Sequence, residues 1–157
     1  MADYRTFFKV KPPLRDEEDR LAVVEAVASG LIDIICSMHT PQDEESKRLP
    51  FEEAASGAVG LETLLPAAMR LVHAEMMDLP TLWRALSLNP AKRLGLPGGR
   101  IAVGAPADMV LFNPDAPFAL DRATLRSKSR NTPFDGMRMQ GKVVATYVAG
   151  SCVYEAN

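Results

Sequence analysis

Apolar residues recur at helical spacing near the amino-terminal end of the chain. Leu21, Val24 and Val27 lie three residues apart and would form one apolar stripe on a helix. Acidic residues precede this stripe and Gly30 follows it, as at the start and the stop of a helix. The pattern predicts an amphipathic helix over residues 16–29.

A short apolar run follows at residues 33–37. It contains the β-branched Ile34 and Ile35, and it gives way to a polar loop that carries His39 and Gln42. The run is typical of a buried strand. A barrel enzyme presents its functional groups from the carboxyl ends of such strands, so this loop is where chemistry is expected.

Helical patterns return in the middle of the chain and β-patterns follow them. The sequence predicts a short helical piece at 51–55, a helix ending near residue 76, and further helices at 79–88 and 91–94, the last stopped by Gly95.

From residue 98 onward the composition changes. Residues 100–113 predict two short strands around a Gly-Ala-Pro turn, residues 117–120 predict another, and residues 139–149 and 151–155 predict a hairpin around Gly150. The order of elements indicates an α/β fold.

Composition narrows the class of protein. The 157 residues are 47% hydrophobic and 24% charged, as in a soluble globular protein, and the net charge of -2 favours neither nucleic acid nor an anionic membrane. We expect no signal peptide and no membrane span. Cys36 and Cys152 lie far apart, which predicts free thiols in a reducing cytoplasm. With two histidines in the chain, a zinc site built from this chain alone is not expected.

Several separated segments resemble the dihydroorotases, a branch of the metal-dependent amidohydrolases. They are the Gly-Leu-Glu-Thr-Leu-Leu-Pro sequence at 60–66, residues 87–96, and the Ser-Lys-Ser-Arg-Asn-Thr-Pro-Phe sequence at 127–134. The resemblance implies the carboxyl-terminal part of a TIM (β/α)8 barrel of the metal-dependent hydrolase type over residues 1–97. It also implies strands of a small composite β-sandwich domain over residues 98–157. A complete barrel needs about 250 residues, so the chain is expected to be part of one.

The resemblance also assigns site positions. Met38 stands where the family has its catalytic aspartate, and Lys11 and Gln42 stand where it has a substrate-binding asparagine and histidine. Ser56 and Gly57 occupy the place of a phenylalanine-glycine pair whose backbone contacts substrate. A methionine thioether is neutral and a weak acceptor, so it can neither accept a proton from metal-bound water nor hold a hard metal. No catalytic residue is therefore expected to be intact.

Three interpretations of function remain open. The first is a catalytically inactive, structural segment of a dihydroorotase-like protein of pyrimidine biosynthesis, a family that uses zinc held by ligands expected upstream of Phe7. The second is a segment of an active, divergent cyclic-amide hydrolase related to hydantoinases or allantoinases, in which Asp43 or Glu44 would replace the lost base. The third is a free-standing interaction module. On composition alone, Met38 and Cys36 would simply pack a core.

Partners follow from the first interpretation. The chain is expected to join the amino-terminal part of the same protein or a second chain, to form an oligomer, and to associate with aspartate transcarbamoylase. Three side chains that resemble catalytic groups are predicted to be structural instead: Glu62, His73 and Asp108, the last as the cap of a turn.

Overall fold

The first helix starts and stops as its sequence predicts. The computed structural model describes residues 4–156, and in it helix α1 spans Glu17–Ala28. The side chain of Asp16 caps this helix by accepting the N–H of Asp19 at 2.9 Å. Val24 and Val27 are buried, whereas Leu21 is 44% exposed, so the buried stripe is narrower than the pattern predicts.

Much of the middle of the chain is helical, but the predicted helical piece at 51–55 is wrong, because those residues form turns. Helix α2 spans Glu44–Arg48 and helix α3 spans Leu64–His73. Helix α4, Leu79–Trp83, continues through one π-helical turn, Arg84–Leu88, into helix α5, Asn89–Leu94. These three pieces confirm the predicted helices at 79–88 and 91–94. Helix α5 ends at Gly95, whose φ of 68° is the left-handed stop that glycine adopts without strain.

Three antiparallel strands form one sheet within residues 4–156, in the order β1-β2-β3. They are β1, Met109–Ala119, β2, Arg138–Val148, and β3, Ser151–Glu155. Ala149 and Gly150, with φ of 48° and 81°, form the two-residue turn between β2 and β3. Positive φ at both positions matches the right-handed twist of the flanking strands. The predicted hairpin is confirmed.

Two predicted strands are absent from the described chain. Residues 33–37 are extended but form no strand, because a strand needs a continuous partner. In this segment the Ile35 N–H is bonded to the Ala85 carbonyl of a helix, at 3.1 Å. Residues 100–108 also form no strand. The predicted strand at 117–120 is instead the end of β1, which lies at the sheet edge, where proline can be tolerated.

The sheet packs on the helices through a few large contacts. The rings of Trp83 and Phe112 meet edge to face with centroids 5.4 Å apart. Gly141 of β2 lies against Met69 of α3, so closely that a Cβ added to Gly141 would stand 3.0 Å from the Met69 Cγ. Met69 and Leu82 are at most 1% exposed and form the centre of the core. The described part of the chain contains no helix that is both long and apolar enough to cross a membrane.

Helix α2 carries an ammonium group that the sequence does not single out. Lys47 is 3% exposed. Its Nζ donates to the carbonyls of Thr6, Lys9 and Ala55 at 3.0, 3.0 and 2.7 Å, which satisfies all three of its protons. Burial, and then the nearby charge of Lys9, lower the pKa of Lys47 below its ordinary value. Lys47 thereby ties the amino-terminal segment to the loop that precedes Gly57.

Candidate functional site

Two loops run side by side where the sequence predicts the site. Residues 38–42 lie beside residues 56–60, joined by a parallel bridge between His39 and Ala58 and by the Thr40 N–H, which donates to the Ala58 carbonyl at 2.8 Å. The first loop leaves the segment predicted as a strand, and the second leads through Thr63 into α3. The pair brings two of the expected substrate positions, Gln42 and Gly57, into one place.

Glycine is required where the two loops touch. A Cβ on Gly57 would stand 2.4 Å from the Thr40 oxygen, and Gly57 has a φ of 140° that other residues rarely adopt. A Cβ on Gly60 would stand 2.2 Å from the Ser37 oxygen. Both obstacles are backbone atoms, which cannot turn aside as a flexible side chain can. The close approach of the two loops therefore depends on these two glycines.

Gly60→Ala is expected to destabilise the chain by about 3 kcal/mol, because the loop must move to admit one methyl group. Gly98→Ala is the matched control, since the nearest atom to its added Cβ is the Asp108 Oδ2 at 3.9 Å. The control is expected to change the free energy of unfolding by less than about 0.5 kcal/mol. Urea unfolding followed by Trp83 fluorescence at equal protein concentration measures both. Equal losses in the two variants would contradict the close approach.

Met38 occupies a strained and open position. Its φ is 46°, in the left-handed region, and its side chain is 51% exposed. Left-handed backbone at a residue other than glycine costs about 1–2 kcal/mol. Cys36 is also exposed, and both Cys36 and Cys152 are free thiols as predicted. The interpretation that Met38 and Cys36 only pack a core is therefore wrong.

His39 is held by the neighbouring loop. Its Nδ1 accepts the backbone N–H of Gly60 at 3.0 Å and that of Leu61 at 3.4 Å. Two donors aimed at one ring nitrogen require that nitrogen to carry no proton, which places the ring proton on Nε2. In this arrangement Nδ1 serves the loop, and only Nε2 is free for other chemistry.

The remaining predicted site residues are spread more widely. Gln42 is half-buried, and its Nε2 would be 3.0 Å from a Cβ placed on Gly57. Ser56 is exposed beside the buried Gly57. Lys11 is exposed and, among the described residues, makes no hydrogen bond to the other predicted positions. The structure thus brings Gln42 and Gly57 together and leaves Lys11 outside their network.

A residue that the sequence analysis does not single out joins the two loops. Asn131 is 3% exposed, its Oδ1 accepts the Gln42 N–H at 3.1 Å, and its Nδ2 donates to the Gly57 carbonyl at 3.0 Å. Its own carbonyl accepts the Val59 N–H at 2.9 Å. The available signal was its place in the motif at 127–134, a segment that forms neither helix nor strand.

The three side chains predicted to be structural make structural contacts. The Glu62 carboxylate accepts the backbone N–H groups of Arg126 and Ser127 at 2.9 to 3.1 Å, and so links the two motifs of the resemblance. The Asp108 carboxylate accepts the Ala149 N–H at 2.8 Å and caps the hairpin turn. His73 Nε2 lies 3.4 Å from an Asp115 carboxylate oxygen. None of these contacts involves a residue of the paired loops at 38–42 and 56–60.

A cavity of about 420 Å³ opens beside Gln42. Its charged groups are largely engaged with the protein. Arg122 lies 3.4 Å from the Asp135 carboxylate and 5.2 Å from the centroid of the Phe7 ring, and Glu44 pairs with Arg48 at 2.8 Å. The other lining residues are Asp43, Ala123, Lys128, Ser129, Arg130 and Asn131. Mixed charge with internal pairing gives the cavity no strong preference for an anion or a cation.

The donor set of the described residues does not fit a hydrolytic metal. Within residues 4–156, no three side chains of His, Cys, Asp or Glu come together where they could hold a metal ion. A catalytic zinc needs three protein ligands and an open position. The Nδ1 lone pair of His39 is engaged with the Gly60 N–H and the ring proton lies on Nε2, so His39 offers no free nitrogen lone pair in this arrangement, and its neighbour Met38 offers no charge.

Comparison with known proteins gives one family and two groups of relatives. Residues 56–154 match the amidohydrolase family. The chain is 43% identical to the dihydroorotase of Desulforapulum autotrophicum over 99% of its own length and 36% of that protein. It is 44% identical to the dihydroorotase of Wolbachia sp. subsp. Drosophila simulans over 93% and 33%. The chain thus spans about a third of the length of the curated relatives it matches.

Solved structures show the same kind of fold. The L-hydantoinase (dihydropyrimidinase) of Arthrobacter aurescens superposes with a TM-score of 0.91 and 33% identity, covering 97% of this chain and 35% of that one. The dihydropyrimidinase of Brevibacillus agri gives a TM-score of 0.88 and 25% identity over 96% and 34%. These likenesses fit a fragment of a TIM-barrel hydrolase.

Proposed function

The chain belongs to the amidohydrolase family, and from that premise we propose that it is the carboxyl-terminal segment of a dihydroorotase-like protein of pyrimidine biosynthesis. In this proposal the segment is structural and catalytically inactive. The family reaction opens dihydroorotate with water to give carbamoyl-aspartate. The composite β-sandwich implied for residues 98–157 is part of the same proposal. Within residues 4–156 the chain itself forms one sheet of three strands.

The balance of similarity favours dihydroorotases over hydantoinases. Identity is 43–44% to the two dihydroorotases, against 33% to the L-hydantoinase. The motifs at 60–66 and 127–134, on which the resemblance to dihydroorotases rests, support the same choice. Glu62 connects these two motifs, and Asn131 connects the second motif to the paired loops.

The single observation that carries the proposal of inactivity is Met38. It lies in an open, strained loop position beside His39, where the family resemblance places an acid–base group. A thioether cannot take a proton from water at neutral pH. The nitrogen of His39 that faces the paired loop is already an acceptor for Gly60. Neither residue can therefore act as the general base in this arrangement.

Zinc would have to be held by groups that the described part of this chain does not supply. In the proposed complete assembly the metal would provide the activated water. This chain would contribute the loop backbone at Gly57 and the amide of Gln42 next to it. We assign no cofactor to the chain itself.

Exposed apolar side chains support the proposed partners. Leu31, Met38 and Leu61 are 82%, 51% and 66% exposed. Met38 and Leu61 lie in or next to the paired loops, and Leu31 precedes the extended segment that leads to them. Such surface is expected to be covered by the amino-terminal part of the same protein or by a second chain, in an oligomer. Aspartate transcarbamoylase is the proposed further partner, in a cytoplasmic assembly.

The full-length protein is expected to co-purify with aspartate transcarbamoylase and to support its assembly. Deletion of the gene should lower the amount of assembled transcarbamoylase, and restoring the protein with the Met38 position unchanged should recover it, because the role is structural. Size-exclusion chromatography with activity assays of the fractions measures this. Full transcarbamoylase assembly in the deletion strain would contradict the proposal.

A second candidate is an active cyclic-amide hydrolase, favoured by the superposition on the L-hydantoinase. It requires Asp43 or Glu44 to replace the missing base. Asp43 is exposed at the start of α2 and Glu44 is paired with Arg48. Hydrolysis of hydantoin that is lost in either Asp43→Asn or Glu44→Gln would favour this candidate, and hydrolysis unaffected by either change would exclude both residues as the base.

A further inference from the structure

Asn131 joins two loops that are distant in sequence. It lies 89 residues from Gln42 and 74 residues from Gly57, and its side chain bonds to both. The identity of its two side-chain atoms is fixed by the partners: the Gln42 N–H needs an acceptor, and the Gly57 carbonyl needs a donor. Of the side chains of this size, only the asparagine amide supplies one of each. Aspartate would supply the acceptor alone.

The two bonds matter because their environment excludes water. Asn131 is 3% exposed, and the neighbouring Thr132 is 1% exposed. A buried amide that loses one partner destabilises the folded state by more than the bond itself contributes. The same residue fixes the second loop once more through its backbone, which accepts the Val59 N–H at 2.9 Å. Three bonds from one residue therefore set the distance between the loops.

The segment that carries Asn131 is anchored at its other end. The Glu62 carboxylate accepts the N–H groups of Arg126 and Ser127. Residues 126–131 thus form a strap from the start of α3 to the paired loops, and the strap ends at Asn131. A rigid support of this kind is what holds a binding group in a productive geometry.

We propose that Asn131 is the positioning residue of the site, which sets the Gln42 and Gly57 backbones against each other without itself contacting the substrate. The proposal rests on the proposed function for its meaning, because that function makes Gln42 and Gly57 substrate-side positions. It assigns a role to the motif at 127–134 that the resemblance alone left as an irregular loop.

Amide hydrogen exchange on the whole chain tests this assignment. In Asn131→Ala, the Gln42 amide, whose N–H bonds to Asn131 Oδ1, is expected to lose about tenfold in protection, the equivalent of one net hydrogen bond. The Gly57 amide donates to the Lys9 carbonyl instead and should keep its protection. The amide of Leu82, which donates to the Asp78 carbonyl within the core, should keep its protection. Asn113→Ala is the matched control, because Asn113 also accepts backbone N–H groups through its side chain, but in β1.

A second variant separates the two bonds. Asn131→Asp keeps an acceptor for the Gln42 N–H and removes the donor to the Gly57 carbonyl. Protection of the Gln42 amide should therefore persist, while the carbonyl ¹³C chemical shift of Gly57 should move as that carbonyl loses its donor. Unchanged Gln42 protection in Asn131→Ala would overturn the proposal. So would losses at Leu82 equal to those at Gln42 in both variants, since that result means general unfolding. The outcome does not depend on transcarbamoylase assembly, so failure of the proposed function would be seen separately.

Discussion

Purified alone, the chain is expected to bind an apolar-surface dye several-fold more strongly than a compact protein of its size, and to self-associate. The cause is the set of apolar side chains that remain more than half exposed. They include Leu14, Leu31, Leu61, Leu94, Leu96, Ile101, Val103 and Leu111. Burying one such side chain contributes about 1.5–3 kcal/mol, so a few of them are enough to drive association.

Co-expression supplies the complementary test. The part of the Desulforapulum autotrophicum dihydroorotase that lies outside the matched region is expected to capture the chain in a stable complex and to reduce dye binding. The same co-expression with Leu31→Ser and Leu61→Ser should weaken capture, because both apolar side chains are largely exposed on the chain by itself. A monodisperse, cooperatively unfolding monomer that binds no dye would contradict the expectation that the chain needs a partner.

The second large effect is the absence of catalysis. Loss of a general base removes about two to four orders of magnitude in rate. Loss of the metal removes the water activated by it as well. The isolated chain is therefore expected to hold less than stoichiometric zinc and to show no dihydroorotate hydrolysis above background. Metal analysis of protein purified without chelators, together with a hydrolysis assay, measures both quantities.

Restoring the family residues is not expected to recover activity in this chain. Met38→Asp alone should fail, and so should Met38→Asp, Gln42→His and Lys11→Asn combined, because the described residues contain no ligand set for the metal. Lys11 also lies outside the network that joins Gln42 to Gly57. Stoichiometric zinc would contradict the expected lack of a metal site, and turnover that disappears in His39→Ala would contradict the expected lack of catalysis.

Local signals in the sequence predicted local structure well. The Asp16 cap and the Gly150 turn are decided by residues within a few positions, and both are formed. The run at 33–37 failed because strand formation depends on a partner, and its own residues do not encode one. Helix α2 was also missed. Its five residues carry no periodic pattern. From the sequence, Lys47 would be expected at the surface, whereas in the structure three carbonyl groups surround its buried ammonium group.

The candidate site could likewise be predicted only in part. The positions of Gln42 and Gly57 could be predicted through the family resemblance, since they lie in short motifs. The role of Asn131 could not, because its two side-chain bonds span 74 and 89 residues and depend on the final fold. The resemblance likewise placed Lys11 with the other site positions, and the described network does not include it.

Trp83 is the one tryptophan of the chain, and it stands against Phe112 where the helical half meets the sheet. Because the Trp83 indole lies at this contact, its fluorescence should report separation of the two parts predicted at 1–97 and 98–157. If the two halves separate before either one unfolds, the Trp83 emission would shift at a lower denaturant concentration than the helical circular dichroism signal. Coincident transitions would instead describe one cooperative unit. A single optical measurement on unmodified protein can thus decide whether the boundary at residue 97 is a boundary of stability or of sequence alone.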